Sequence, residues 1–117
     1  RRVSAALRAR GRQPMIVARG YRGIDGKNDE AHLAGDIPVI CQPDRVLGGR
    51  QAMAAGADCV VLDDGFQHRR LHRDLDIVLI DATRPWGRPD GARGAVLPMG
   101  YLRETRAGLQ RADLLWL

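Results

Sequence analysis

The chain has 117 residues, 44% of them apolar and 28% charged, with a formal net charge of +5 at pH 7. This is the composition of one soluble compact domain with a real core. It argues against disorder, and no apolar run approaches the ~20 residues that a bilayer-spanning helix needs. The basic excess is arginine, since Lys27 is the single lysine, and the planar guanidinium fork suits phosphates and carboxylates.

Leu7, flanked by Ala5, Ala6 and Ala9, predicts an opening helix that ends at Gly11. Five apolar runs of strand length follow along the chain: Pro14–Ala18, Ile37–Cys41, Asp58–Leu62, Asp76–Asp81 and Asp113–Leu117. Continuous apolar strands of this kind are typical of parallel sheets buried on both faces. Between the second and third runs, "DRVLGGRQAMAAG" predicts a helix capped by Asp44 and closed by Gly56. Its apolar face would be Val46, Leu47, Met53 and Ala54. Gly48 and Gly49 weaken that helix by about 1 kcal/mol each relative to alanine. Shorter helical turns are expected in "NDEAHLAG", capped by Asn28, and in "ETRAGLQRAD". The link from Leu62 to Asp76 is too brief for a long helix, which leaves a loop or an antiparallel hairpin. "DATRPWGRPDGARGAVLPMG" reads as a long loop of the kind that often carries function. The predicted fold class is α/β, a mostly parallel sheet with flanking helices.

In open α/β sheets, ligands bind beyond the carboxyl ends of the strands. Asp63 and Asp64 fall there, after Val60, Val61 and Leu62. Two readings stand for this pair. One is a strand-ending turn with a helix-capping aspartate. The other is a site for Mg²⁺, whose charge would relieve the repulsion between the carboxylates, with Gly65 allowing the sharp turn. "RGYRG" after the first strand offers glycines for close approach and Arg19 and Arg22 to grip an anion. It equally describes a surface loop. Asp29 and Glu30 fit the first turn of a helix, where its dipole favours negative charge. Alternatively, Asp29 is a base for an attacking hydroxyl. His68 and His72 are spaced i, i+4, but crowding arginines favour polar loop positions over a zinc site. Glu104 beside Arg103 forms either an exposed ion pair or an acidic contact to metal or substrate. Cys41 and Cys59 lie in apolar runs and read as buried small hydrophobes, which suits a cytosolic compartment. No G-x-x-x-x-G-K-[ST] phosphate loop is present in these residues.

Together, "RGYRG", "NDEA", "PDR" (Pro43–Arg45), "DDGFQHRRLHRDLDIVLIDA" (Asp63–Ala82), "LPMGYLRE" (Leu97–Glu104) and the closing "RADLLWL" resemble the tetraacyldisaccharide 4′-kinase family. The resemblance implies that residues 1–117 are part of a P-loop NTPase-like kinase domain. The phosphate loop would lie upstream and a further domain downstream, so that the piece by itself is inactive. It implies ATP as co-substrate and Mg²⁺ as cofactor. The implied acceptor is an acylated glucosamine disaccharide lipid, phosphorylated on its 4′-hydroxyl at the cytoplasmic face of the inner membrane. Peripheral membrane association would come through a segment outside these residues, and no nucleic acid is expected.

The resemblance assigns Asp29 as catalytic base, Glu30 as its acidic neighbour, and Asp63 and Asp64 as the metal-site pair. Arg45, Gln67, His68 and Glu104 become residues lining the substrate and nucleotide site, beside Arg19. Asn28 and Ala31 stand where the family often has Gly and Pro, Ala18 where it often has Ser, Arg22 for a usual Gly and Tyr101 for a common Pro. No carboxylate is lost by these changes. The alternatives are another P-loop nucleotide enzyme, or a basic nucleic-acid or anion-binding module. The second is weakened by having only five aromatic residues for base stacking.

Overall fold

The computed structural model describes residues 2–20, 36–87 and 94–117. In chain order these form α1 (Arg2–Ala9), β1 (Pro14–Ala18), β2 (Val39–Cys41), α2 (Arg45–Ala54), β3 (Cys59–Leu62) and β4 (Ile77–Leu79). A 3-10 helix (Arg106–Arg111) and β5 (Leu114–Trp116) complete the set. Each of the five apolar runs contains one strand, and every strand pairing among the described residues is parallel. The fold class is α/β, as the alternation of apolar runs and helical segments predicts.

The strands fall into two sheets, and the chain divides into two compact units, Arg1–Leu71 and His72–Leu117. In the first unit the strand order is β2-β1-β3, with β1 in the middle. Its register pairs Val17 with Ile40 on one side and with Leu62 on the other. The central position explains the burial. Val17 and Ala18 are almost wholly enclosed, and a fully buried valine contributes about 1.5–3 kcal/mol. The link after Leu62 is a series of turns and forms no hairpin.

Helix α1 closes as its sequence indicates, with Gly11 in the left-handed region at φ 75° and its N–H donating to the Arg8 carbonyl. Helix α2 begins as expected. The Asp44 carboxylate accepts the N–H groups of Val46 at 2.9 Å and Leu47 at 3.2 Å. The buried face of α2 differs from the expected one. Leu47, Met53 and Ala54 are exposed, and the face turned inward is Arg45, Gly48, Gly49 and Ala52. Sterics give the reason. A Cβ on Gly48 would stand 2.6 Å from Val17 Cγ1 and 3.2 Å from Gln42 Cβ. The missing side chain is what allows the helix to approach β1 this closely.

In the second unit β4 and β5 pair in the register Ile77–Leu114, Val78–Leu115 and Leu79–Trp116. Asp76 and Asp113 fasten the start of the pair. The Asp76 N–H donates to the Asp113 carboxylate at 2.7 Å, and the Asp113 N–H donates to the Asp76 carbonyl at 2.9 Å. Arg73 Nε donates to the Asp76 carboxylate at 2.6 Å. The residues of β5 are all exposed, so burial of this strand on both faces is not found among the described residues. Cys41 is also exposed, contrary to its expected burial, because β2 ends at the sheet margin; Cys59 is half-buried. The expected turn in "ETRAGLQRAD" is the 3-10 helix, and "NDEAHLAG" lies outside the described residues.

The two adjacent glycines of α2 should respond oppositely to alanine. Gly49→Ala, with nothing within 4 Å of the new Cβ, should raise stability by about 0.5–1 kcal/mol. Gly48→Ala should lower it by about 1–3 kcal/mol through overpacking against Val17. Urea unfolding of the two variants checks the signs.

Candidate functional site

Because β2, β1 and β3 run parallel, their carboxyl ends emerge on one edge of the first sheet. Arg19 follows β1, the segment Gln42–Arg45 follows β2, and Asp63–His68 follows β3. The sheet thus brings Arg19, Arg45, Asp63, Asp64, Gln67 and His68 to or just beyond that edge, the side on which open α/β sheets generally bind ligands. Asp29 and Glu30 lie outside the described residues.

The backbone of Asp63 is held from two directions. Its N–H donates to the Val17 carbonyl at 3.0 Å, and its carbonyl accepts Nη2 of Arg45 at 2.7 Å. The side chain is exposed, and among the described residues its carboxylate takes no hydrogen bond or ion pair. Asp64 stands in the left-handed region at φ 53°, a conformation that Asp tolerates better than most residues. The sharp turn after β3 therefore belongs to Asp64 and not to Gly65. Gly65 is required for a different reason, since a Cβ there would stand 2.5 Å from Leu62 Cβ. The His68 N–H donates to the Gly65 carbonyl at 2.9 Å and closes the turn.

Arg45 is the first residue of α2 and is only 4% exposed. Sequence reasoning marks it as a residue lining the site; its grip on the Asp63 carbonyl was not visible there. Asp44, one residue earlier, accepts two helix N–H groups. The Leu47 and Val46 amides hold its carboxyl below the usual carboxylate range, and the nearby charges of Arg70 and His68 act in the same direction. His68 is half-buried, while Gln67 and Arg19 are exposed.

In the second unit, Glu104 is bound to Arg111. Nη2 of Arg111 donates to both carboxylate oxygens, at 2.9 and 2.8 Å. Gly108 makes room for this carboxylate, because a Cβ there would collide with Glu104 Oε2. Glu104 thus has an ion-pair partner in Arg111, the last residue of the 3-10 helix. Arg106 lies over the Trp86 ring at 5.2 Å.

Asp63 and Asp64 fit Mg²⁺ by donor chemistry. That ion is bound through one or two carboxylates and keeps several waters. Among the described residues no group of three or more His, Cys, Asp and Glu is placed to hold a metal.

The family profile described as tetraacyldisaccharide-1-P 4′-kinase matches residues 2–117. Proteins named tetraacyldisaccharide 4′-kinase are similar to the chain. That of Anaeromyxobacter sp. (strain Fw109-5) is 44% identical, the match covering 98% of the chain and 36% of the relative. That of Syntrophus aciditrophicus (strain SB) is 47% identical over 96% of the chain and 35% of the relative. That of Dinoroseobacter shibae is 41% identical over 93% and 36%. The chain therefore spans about a third of the length of these relatives. No solved structure matches.

The Asp44 cap should be sensitive to acid. Its folded-state pKa is lowered, so its contribution is present above the unfolded value of about 3.9 and is lost as pH falls through the folded value. Asp44→Ala should lower the thermal midpoint at neutral pH. The gap to the parent chain should close below about pH 4, the range in which an unfolded aspartate is protonated. Melting curves from pH 7 to pH 2.5 check this.

Proposed function

Because the chain belongs to the tetraacyldisaccharide-1-P 4′-kinase family, we propose that it forms the acceptor-activating and metal-binding part of a lipid kinase. The reaction transfers the γ-phosphoryl group of ATP to the 4′-hydroxyl of an acylated glucosamine disaccharide. The observation that carries this reading is the Asp63 carboxylate, exposed and without a protein partner among the described residues, on a backbone held from both sides at the carboxyl edge of a parallel sheet.

In the proposed chemistry, the acceptor oxygen forms a bond to the γ-phosphorus. The bond from that phosphorus to the β–γ bridging oxygen breaks, and ADP leaves with the electron pair. Asp29 takes the proton of the attacking hydroxyl, and Glu30 beside it adds negative charge that favours proton uptake. Asp63 and Asp64 would hold Mg²⁺, which neutralises charge on the transferring phosphoryl group. Arg19, on the same edge, would attract phosphate oxygens, and Gln67 and His68 would line the rim. Glu104 would present an acidic oxygen already oriented by Arg111. Most of the rate would come from placing these groups in advance, since phosphoryl transfer asks little covalent chemistry of the protein.

The arginine excess suits work at the cytoplasmic face of the inner membrane. Each basic side chain near an anionic surface adds about 1 kcal/mol of attraction. No helix of the described residues is long and apolar enough to cross a membrane. Association would therefore rest on surface contact or on a segment outside this chain.

The test is ATP-dependent phosphorylation of the disaccharide by a full-length enzyme carrying this segment. Asp29→Asn should lower kcat about 10²–10⁴-fold, the range for a lost general base. Asp63→Asn should lower it at least about 100-fold, as for other losses of transition-state charge stabilisation. The 117-residue chain alone should give no product. Wild-type rates in either variant would refute the assignment.

A further inference from the structure

We propose that Arg45 is a positioning residue for the metal-binding pair, acting on Asp63 through its main chain and not as a ligand for phosphate. The inference rests on the reading of Asp63 and Asp64 given above.

Four observations point the same way. Arg45 is 4% exposed, which leaves little of its guanidinium for a ligand arriving from solvent. Nη2 donates to the carbonyl of Asp63 itself at 2.7 Å. That carbonyl immediately precedes Asp64, whose φ of 53° is seldom adopted by a residue with a side chain. Finally, Nη1 is buried without a hydrogen-bond partner among the described residues. A buried charged group with an unfilled donor costs folding free energy. An apolar side chain of similar volume would fill the space without that cost. An orphaned buried donor calls for an explanation outside stability, and the Asp63 carbonyl held by Nη2 of the same guanidinium supplies one.

The physical effect is on geometry. The Val17 bond fixes the Asp63 N–H, and Arg45 fixes the Asp63 carbonyl. With both ends of the residue held, the direction of its Cα–Cβ bond is set, and so is the entry into the left-handed residue after it. Without the clamp, the Asp63–Asp64 peptide loses the hydrogen bond on its carbonyl, and the turn that sets the two side-chain directions is less firmly held. The loss should appear as weaker cation binding, with the nucleotide's own affinity little changed.

The experiment uses a full-length enzyme carrying this segment, with Mn²⁺ as the probe for the divalent cation. Mn²⁺ binding in the presence of ADP is followed by electron paramagnetic resonance. The Mg²⁺ concentration for half-maximal activity and KM for ATP are measured alongside. Arg45→Met and Arg45→Lys should weaken Mn²⁺ binding about 10–100-fold, the usual cost of losing a residue that orients a metal ligand. Arg45→Lys should retain more, since its amine can still donate one bond. KM for ATP at saturating Mg²⁺ should move less than about 3-fold, and activity should recover as Mg²⁺ is raised.

Three results would overturn the proposal. The first is a large rise in KM for ATP with Mn²⁺ binding intact, which would make Arg45 a phosphate ligand. The second is a lowered thermal midpoint with unchanged Mn²⁺ affinity in the folded fraction, which would make it structural only. The third is Mn²⁺ binding that survives Asp63→Asn in an enzyme with Arg45 intact, which would remove the premise as well. Should Arg45→Met fail to fold, Arg45→Lys decides between the first two.

Discussion

The closeness of α2 to β1 is the constraint from which the arrangement of the first unit follows. Gly48 brings the helix down onto Val17, the most enclosed side chain of the central strand. Arg45 is three residues before Gly48 and Ala52 is four after it, so all three share one helical face. Once Gly48 sets the depth of the helix, its first residue is carried to the end of β3. There its guanidinium meets the Asp63 carbonyl. Packing in the middle of the helix and polar contact at its start are thus two consequences of one missing side chain.

Within each unit, charge is divided between folding and chemistry. Asp44 is committed to the first turn of α2, and Glu104 to Arg111. Arg45 is committed to a backbone carbonyl. The Asp63 carboxylate has no comparable structural duty among the described residues. A carboxylate that stabilises the fold is accounted for by its partner. One held in place by its main chain, with its side chain in water, is better explained by a ligand. This distinction separates Asp63 from the other aspartates more clearly than its place in the sequence does.

The strands were legible because burial leaves a direct mark on composition: five apolar runs became five strands, each within its run. Asp44 was legible as a cap, and Asp63 as a strand-end residue, because both depend on neighbours close in sequence. The buried face of α2 was not. Apolar periodicity points to Leu47 and Met53, but close approach selects for an absent side chain, and glycine carries no periodic signal. Gly65 was read as the turn residue on dihedral grounds, whereas Asp64 takes the left-handed conformation and Gly65 answers a contact with Leu62. The Glu104–Arg111 pair was missed because the two residues stand seven apart, beyond the i, i+3 and i, i+4 spacings at which a sequence suggests side-chain pairs, and Glu104 lies before the 3-10 helix that carries Arg111. The division of the strands into two sheets also left no trace in the apolar pattern, since each run reads alike whichever neighbour it joins.

Why arginine at position 45 follows from what a clamp at this place must do. It has to cross from the start of a helix to a carbonyl beyond the end of another strand, keep its charge under burial, and hold one direction. Lysine reaches as far, but its ammonium titrates readily when desolvated and has no fixed plane. A guanidinium keeps its proton and its shape. Its positive charge beside the Asp63 main chain also opposes the repulsion between the two neighbouring carboxylates before any cation arrives. That sharing of charge lets the pair persist in the folded protein while leaving the Asp63 carboxylate exposed to water, where a hydrated divalent cation can still reach it.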